Sequence, residues 1–284
     1  MTDYESTLNP IDIRDVVRRS LVEDLGGGLD VTSVSTISHA QRSTGAFVTR
    51  QSGVICGLPL VEAALQEVAG IDVAISRKHR DGDRVSAGEI LLQVTGSTRG
   101  LLTAERTALN LLGHLSGVAT LTQLWVDAVA GTGARIRDTR KTLPGLRGFQ
   151  KYAVRCGGGL NHRMSLSDAA LIKDNHVAAA GSITAAIKAV REQFPTVPLE
   201  VECDTLAQVV EAVAAGAKLI LLDNMPVSTL REAVRQVGGR AKLEASGGLT
   251  LATARAVAET GVDYLAVGAL THSAPQLDIG FDLR

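Results

Sequence analysis

From Gly133 onward the chain repeats one unit: a short apolar run that closes on a polar or glycine residue, followed by a segment of helical period. The runs cover 134–138, 169–174, 199–202, 219–223, 243–247 and 264–268. Short apolar runs alternating with helical stretches specify parallel β/α units. Their starts lie 20 to 35 residues apart, enough chain for a right-handed crossover each time. Two layouts satisfy this alternation, an open doubly wound sheet and a closed barrel, and periodicity does not choose between them. No Gly-x-Gly-x-x-Gly follows the first run, which removes support from the dinucleotide-binding version of the open sheet.

The first third reads differently. Asn9 is placed as the N-cap of a helix with Pro10 at its first position and Asp12 two residues on, a start signal with a capping acceptor and a preset φ. Ile13, Val16, Val17 and Leu21 form its apolar face, and the glycines 26–28 stop it. Strand-like segments near 46–48, 73–75 and 90–94 alternate with turns such as Asp81-Gly82-Asp83, which predicts a small α+β domain. From Arg99 to about Ala130 the period is helical, with Gly113 and Gly117 as candidate breaks, and the domain boundary is expected in this stretch. The expected division is 1–113, joined by the tail 273–284, and 114–272.

A net charge of −1 on 284 residues argues against a nucleic-acid or membrane partner, since neither polyanion is drawn to a nearly neutral surface. The polar first nine residues and the lack of an apolar run of spanning length point to a cytoplasmic chain. Cys56, Cys156 and Cys203 lack the spacing of a zinc or redox pair and are expected to be idle, buried thiols. Cys203 follows an acid at the end of an apolar run, but a nucleophile needs a basic neighbourhood.

The residues that close the runs read as a site. They are Arg140 and Lys141, then Lys173 with Asp174, Glu202, Asp223, Ser246-Gly247-Gly248 and Gly268, and in a barrel such ends converge on one mouth. Between 135 and 163 stand eight Lys and Arg against one acid, Asp138. A solvated helix face opened by Pro144 accounts for some of Arg147, Lys151 and Arg155. It does not account for Arg140, Lys141, His162 and Arg163, at a strand end and in a glycine-rich loop, where they would hold a ligand with several anionic groups. Glu202 and Asp223 suggest Mg²⁺, ribose hydroxyls or a developing cation; internal salt bridges are an equal reading for either acid alone. The glycines at 247, 248 and 268 offer backbone N–H groups where (β/α) barrels bind phosphate. Glu105 and Arg106 interrupt an apolar helix and point apart, so each either finds a core partner or reaches a site. A Schiff-base aldolase using Lys173 and a non-catalytic anion-binding protein are the competing classes.

The stretches 99–110 (RGLLTAERTALN) and 137–147 (RDTRKTLPGLR), with 157–163 (GGGLNHR), 171–176 (LIKDNH), 221–224 (LLDN) and 244–248 (EASGG), resemble the quinolinate phosphoribosyltransferase family from about Leu25 onward. The resemblance implies an N-terminal open-faced α/β sandwich followed by an incomplete, six-stranded (β/α) barrel, in a homodimer whose partner completes each mouth. It implies that Arg106, from the neighbouring subunit, joins Arg140, His162, Arg163 and Lys173 around the two carboxylates of quinolinate. Thr139, Lys141, Glu202, Asp223, Ser246, Gly247, Gly248 and Gly268 would contact phosphoribosyl pyrophosphate, with Mg²⁺ at Glu202 and Asp223, directly or indirectly. Lys141, Lys173, Glu202 and Asp223 would be the catalytic set. No organic cofactor is implied. A salvage enzyme for nicotinate is the nearest alternative in the same fold, but a monocarboxylate needs fewer cations.

Overall fold

The computed structural model describes residues 8–70 and 72–283. Two compact units partition the chain: 1–123 with 148–158 and 273–284, and 124–147 with 159–272.

The first unit opens with α1 (Pro10–Leu25), where Asn9 accepts from the Ile11 N–H and Gly26 caps the other end at φ 58°. Val16, Val17 and Leu21 are its buried face. Then come α2 (Val31–Thr36), β1 (Arg42–Thr49), β2 (Gly53–Val54), α3 (Leu58–Ala69), β3 (Ala74–Arg77), β4 (Arg84–Val85), β5 (Ile90–Ser97) and α4 (Thr98–Ala128). Gly113 and Gly117 do not break α4. A Cβ on Gly117 would lie 2.0 Å from the Pro275 carbonyl oxygen and one on Gly113 3.1 Å from that of Leu277, so these glycines admit the returning tail to the helix surface.

The second unit carries β6 (Arg135–Arg137), then, beyond α5 (Arg147–Cys156), β7 (Ala170–Ile172), α6 (Asp174–Ala180), α7 (Ile183–Gln193), β8 (Leu199–Cys203), α8 (Leu206–Ala214), β9 (Leu219–Asp223), α9 (Val227–Val237), β10 (Lys242–Ser246), α10 (Leu251–Ala258), β11 (Tyr264–Ala266) and α11 (Ala269–His272). The last strand, β12 (Ile279–Leu283), pairs antiparallel with β1 in the sheet β12-β1-β5-β3 of the first unit. There Phe281 lies against Phe47 with ring centroids 4.9 Å apart, over Gly45, where a Cβ would collide with its ring at 2.2 Å. Helix α5 belongs almost wholly to the first unit, and it is not a solvated basic face: Lys151 is fully buried, and Phe149, Gln150, Tyr152, Ala153 and Val154 are buried beside it.

Strand order settles the architecture of the second unit. The six parallel strands run β6-β11-β10-β9-β8-β7, so chain neighbours pair in sequence and the first strand pairs with the last. A doubly wound sheet reverses direction at a switch point; this one does not, and it is a barrel left unclosed between β6 and β7. At that seam Leu160 bridges Arg137 in parallel, donating to the Ile136 carbonyl at 2.8 Å and accepting from the Asp138 N–H at 3.1 Å. The face of these strands turned away from the barrel interior is aliphatic, with Val201, Ile220, Leu222 and Leu265 fully buried.

Candidate active site

Successive residues of a strand point to opposite faces, so the inward residues of this barrel come in pairs two apart: Leu171 and Lys173, Leu221 and Asp223, Glu244 and Ser246. All six line one cavity of about 520 Å³, together with Thr139, Arg140, Lys141, His162, Arg163, Glu202, Asn224, Gly247, Gly248 and Ala266. Eleven of the thirteen residues that the resemblance assigns to the site therefore meet in one place. Gly268 stands at its edge, with the Lys141 side chain packed 3.0 Å from where its Cβ would be. Arg106 is exposed, lies on α4 in the other unit and is not among the lining residues.

The loop carrying His162 and Arg163 is pinned from β6. Asp138, fully buried, accepts from Asn161 Nδ2 at 2.5 Å and from the His162 N–H at 2.8 Å. His162 Nδ1 accepts from the Arg163 N–H at 2.7 Å, so the ring hydrogen sits on Nε2, which points at Glu200 Oε2, 2.6 Å away. Arg163 Nη1 donates to the Ala169 carbonyl at 2.9 Å, fastening the guanidinium to the segment that enters β7. Its burial, then the charge of neighbouring Arg140, lower its pKa from the usual arginine value. Arg140 Nε is buried without a hydrogen-bond partner. A buried guanidinium donor left open in a cavity shared with Arg163 and Lys173 is a place for an anion.

Across the cavity Lys173 Nζ lies 2.5 Å from Glu202 Oε2. For Glu202 the internal ion pair is thus realised. Asp223 Oδ2 accepts from Asn224 Nδ2 at 2.6 Å, and Lys141 is tethered through its carbonyl, which accepts from Thr271 Oγ1 at 2.7 Å. Gly247 and Gly248 adopt φ of 86° and 61°, a turned backbone whose N–H groups can converge on an anion. All three cysteines are free and buried; burial pushes the Cys203 thiol up to about 12, which removes it as a nucleophile.

Sequence reasoning missed Glu200, Glu244, Asn224 and the hydrophobic floor of Leu171, Leu221 and Ala266. The alternation within strands would have found Glu200 and Glu244, since they stand two residues before Glu202 and Ser246. Arg137 Nη1 meets Glu244 Oε2 at 2.5 Å, with its guanidinium 4.8 Å above the Tyr264 ring. Among the described residues no helix is long and apolar enough to cross a membrane.

Residues 118–282 match the quinolinate phosphoribosyl transferase C-terminal domain and 30–116 its N-terminal domain. The chain is 55% identical to the nicotinate-nucleotide pyrophosphorylase [carboxylating] of Mycobacterium leprae over 95% of its own length and 96% of that protein. It is 40% identical to the probable enzyme of that name from Bacillus subtilis, over 97% and 95% of the two chains. The solved structure of the nicotinate-nucleotide pyrophosphorylase from Francisella tularensis superimposes with a TM-score of 0.95 at 35% identity, covering all of both chains. The chain belongs to the quinolinate phosphoribosyltransferase family.

Proposed function

We propose that this chain transfers the phosphoribosyl group of phosphoribosyl pyrophosphate to quinolinate with decarboxylation, yielding nicotinate mononucleotide, pyrophosphate and carbon dioxide in de novo NAD biosynthesis. The observation that carries the reading is the open, buried Nε of half-buried Arg140 in a cavity shared with Arg163, Lys173 and His162. These groups supply charge and N–H donors for a ring bearing two carboxylates, and Arg106 of a partner subunit in a homodimer would add to them.

Phosphoribosyl pyrophosphate takes the other half of the cavity. Thr139, Lys141, Ser246, Gly247, Gly248 and Gly268 would hold its phosphate oxygens, and Glu202 and Asp223 its ribose. Mg²⁺ suits this donor set: it binds through one or two carboxylates together with substrate phosphates and waters, and Glu202 and Asp223 are hard oxygen donors lining the same cavity. When bound there it would neutralise charge on the pyrophosphate.

Holding two polyanions together is the first task of the cationic residues. As the C1–O bond to pyrophosphate breaks, the pyridine nitrogen supplies the new bond to C1; the carboxylates of Glu202 and Asp223 favour the positive charge passing through the sugar, and Lys141 the negative charge on the leaving group. The alkylated nitrogen then draws the electrons of the departing 2-carboxylate onto C2, which takes up a proton. The ring is its own electron sink, so the chemistry calls for no organic cofactor.

Incubation of the protein with quinolinate, phosphoribosyl pyrophosphate and Mg²⁺, followed by mass detection, tests this. Nicotinate mononucleotide from quinolinate, and none from nicotinate in parallel, is the expected result. Product from nicotinate alone would reassign the pocket to a monocarboxylate.

A further inference from the structure

Beneath the cationic residues lies a cluster that the reaction as derived does not use. Glu200 and Glu244 are 3% and 0% exposed, and one oxygen of each, Oε1, is buried with no hydrogen-bond partner. The groups facing Glu244 are few. Arg137 from β6 holds its Oε2 at 2.5 Å, and the Nε2 of His162 lies 3.5 Å from its Oε1. Glu200 comes from β8, Tyr264 stands opposite in register on β11, and on the β9 side the register partner is apolar Leu221. Arg137 is thus the fixed cation paired with Glu244, while Glu200 has the His162 ring and the charge of Arg163 beside it; the two open oxygens still leave room for one more positive charge between the two acids.

A metal ion and a proton are the candidates. Donor atoms of His162, Glu200 and Glu244 lie within 4.8 Å of one another, as a metal would require. The histidine opposes that reading, because Nδ1 accepts the Arg163 N–H and Nε2 therefore carries the hydrogen, directed at Glu200, leaving no lone pair for a metal.

We propose that Glu244 carries a proton beneath the floor of the cavity, and that this proton must be in place for the dicarboxylate to bind. Glu200 already accepts from His162, so Glu244 is the carboxyl left to hold it. Burial first, and the charge of Glu200 second, push the Glu244 carboxyl up to about 7, against the pull of Arg137 and His162. Glu244 also lines the cavity that holds Arg140, Arg163 and Lys173. Its ionisation sets a negative charge under a bound carboxylate, where little water screens the repulsion. The sign follows: the bound anion favours protonated Glu244, so binding takes up a proton above pH 7 and none well below it. This deepens the assignment of quinolinate to the cavity and rests on it.

Titration calorimetry of the wild-type protein with quinolinate, in buffers of different ionisation enthalpy from pH 6 to 8.5, counts the protons. Uptake is expected to rise from near zero toward one, with the dissociation constant weakening above pH 7 by up to about tenfold per unit. In Glu244→Gln both the uptake and this slope should vanish. Wild-type binding at pH 8.5 with no uptake, or the same slope in Glu244→Gln, overturns the inference. Proton-linked binding without formation of nicotinate mononucleotide would overturn the reaction and leave the proton on Glu244 standing.

Discussion

Asn224 donates from Nδ2 to Asp223 Oδ2 at 2.6 Å while its own N–H donates to the Ser246 carbonyl at 2.9 Å, tying the end of β9 to the end of β10. It does so at φ 53°, and among the described residues no other non-glycine has positive φ. Local strain retained at a site points to a functional constraint, here the fixed orientation of one carboxylate beside the Gly247-Gly248 turn. Asn224→Gly relieves the backbone and removes the side chain. The Michaelis constant for phosphoribosyl pyrophosphate should rise on the order of tenfold or more, that for quinolinate should hold, and the thermal midpoint should stay level or rise. Steady-state kinetics beside a melting curve reads all three; an unchanged constant for phosphoribosyl pyrophosphate would end the positioning role.

Gly247 is constrained from the same side. A Cβ there would lie 2.2 Å from Asn224 Oδ1 and 2.9 Å from the Asn224 backbone nitrogen, and no rotamer of Asn224 relieves the second contact. Gly247→Ala should lower turnover by about a hundredfold. Gly131→Ala is the control: φ there is also positive, at 80°, but nothing lies within 4 Å of the new carbon. It should cost about 1 kcal/mol of stability and leave turnover alone. Equal losses in the two variants would mean that backbone strain, not the contact with Asn224, governs the first.

The sequence made the strands and most of the cavity legible, because each apolar run stops where its chemistry begins, as Leu219–Asp223 and Lys242–Ser246 show. Pairing was not legible. Nothing in the period of Arg135–Arg137 says that it adds to Tyr264–Ala266 rather than to the next strand, and that pairing decides barrel against open sheet. Environment was hidden too: Lys151 has the spacing of a surface cation, yet α5 is buried on nearly every side. Gly113 and Gly117 read as breaks because their partner, the segment 275–277, lies far along the chain. The positive φ of Asn224 leaves no mark in composition at all.

Stability of the first unit should hinge on Asp81. This carboxylate, 6% exposed, accepts from the Gly57 and Leu58 N–H groups at 2.9 and 3.0 Å and from the Tyr152 hydroxyl at 2.8 Å. It holds the start of α3 and the middle of α5 together. Asp81→Ala strands three buried donors and should cost on the order of 3 kcal/mol or more, whereas Tyr152→Phe removes one bond and should cost about 1–2 kcal/mol. Chemical denaturation of both variants checks the order; a larger loss for Tyr152→Phe would place the weight on the ring's packing instead.

Arg106 presents the sharpest test of assembly. It is exposed on α4, and the homodimer reading has it act on a neighbouring subunit's cavity. Arg106→Ala and Lys141→Ala should each abolish most turnover. If Arg106 serves the partner's site, a mixed dimer of the two variants places both lesions in one site and leaves the other intact. Random association makes half the dimers mixed, so co-expressed chains should recover about one quarter of wild-type activity, and isolated mixed dimers about one half. Should Arg106 act within its own subunit, every site in the mixture carries one lesion and no activity returns. Separately tagged chains, purified in tandem so that only mixed dimers remain, distinguish these outcomes, because mixing two damaged sites can restore an intact one only across an interface.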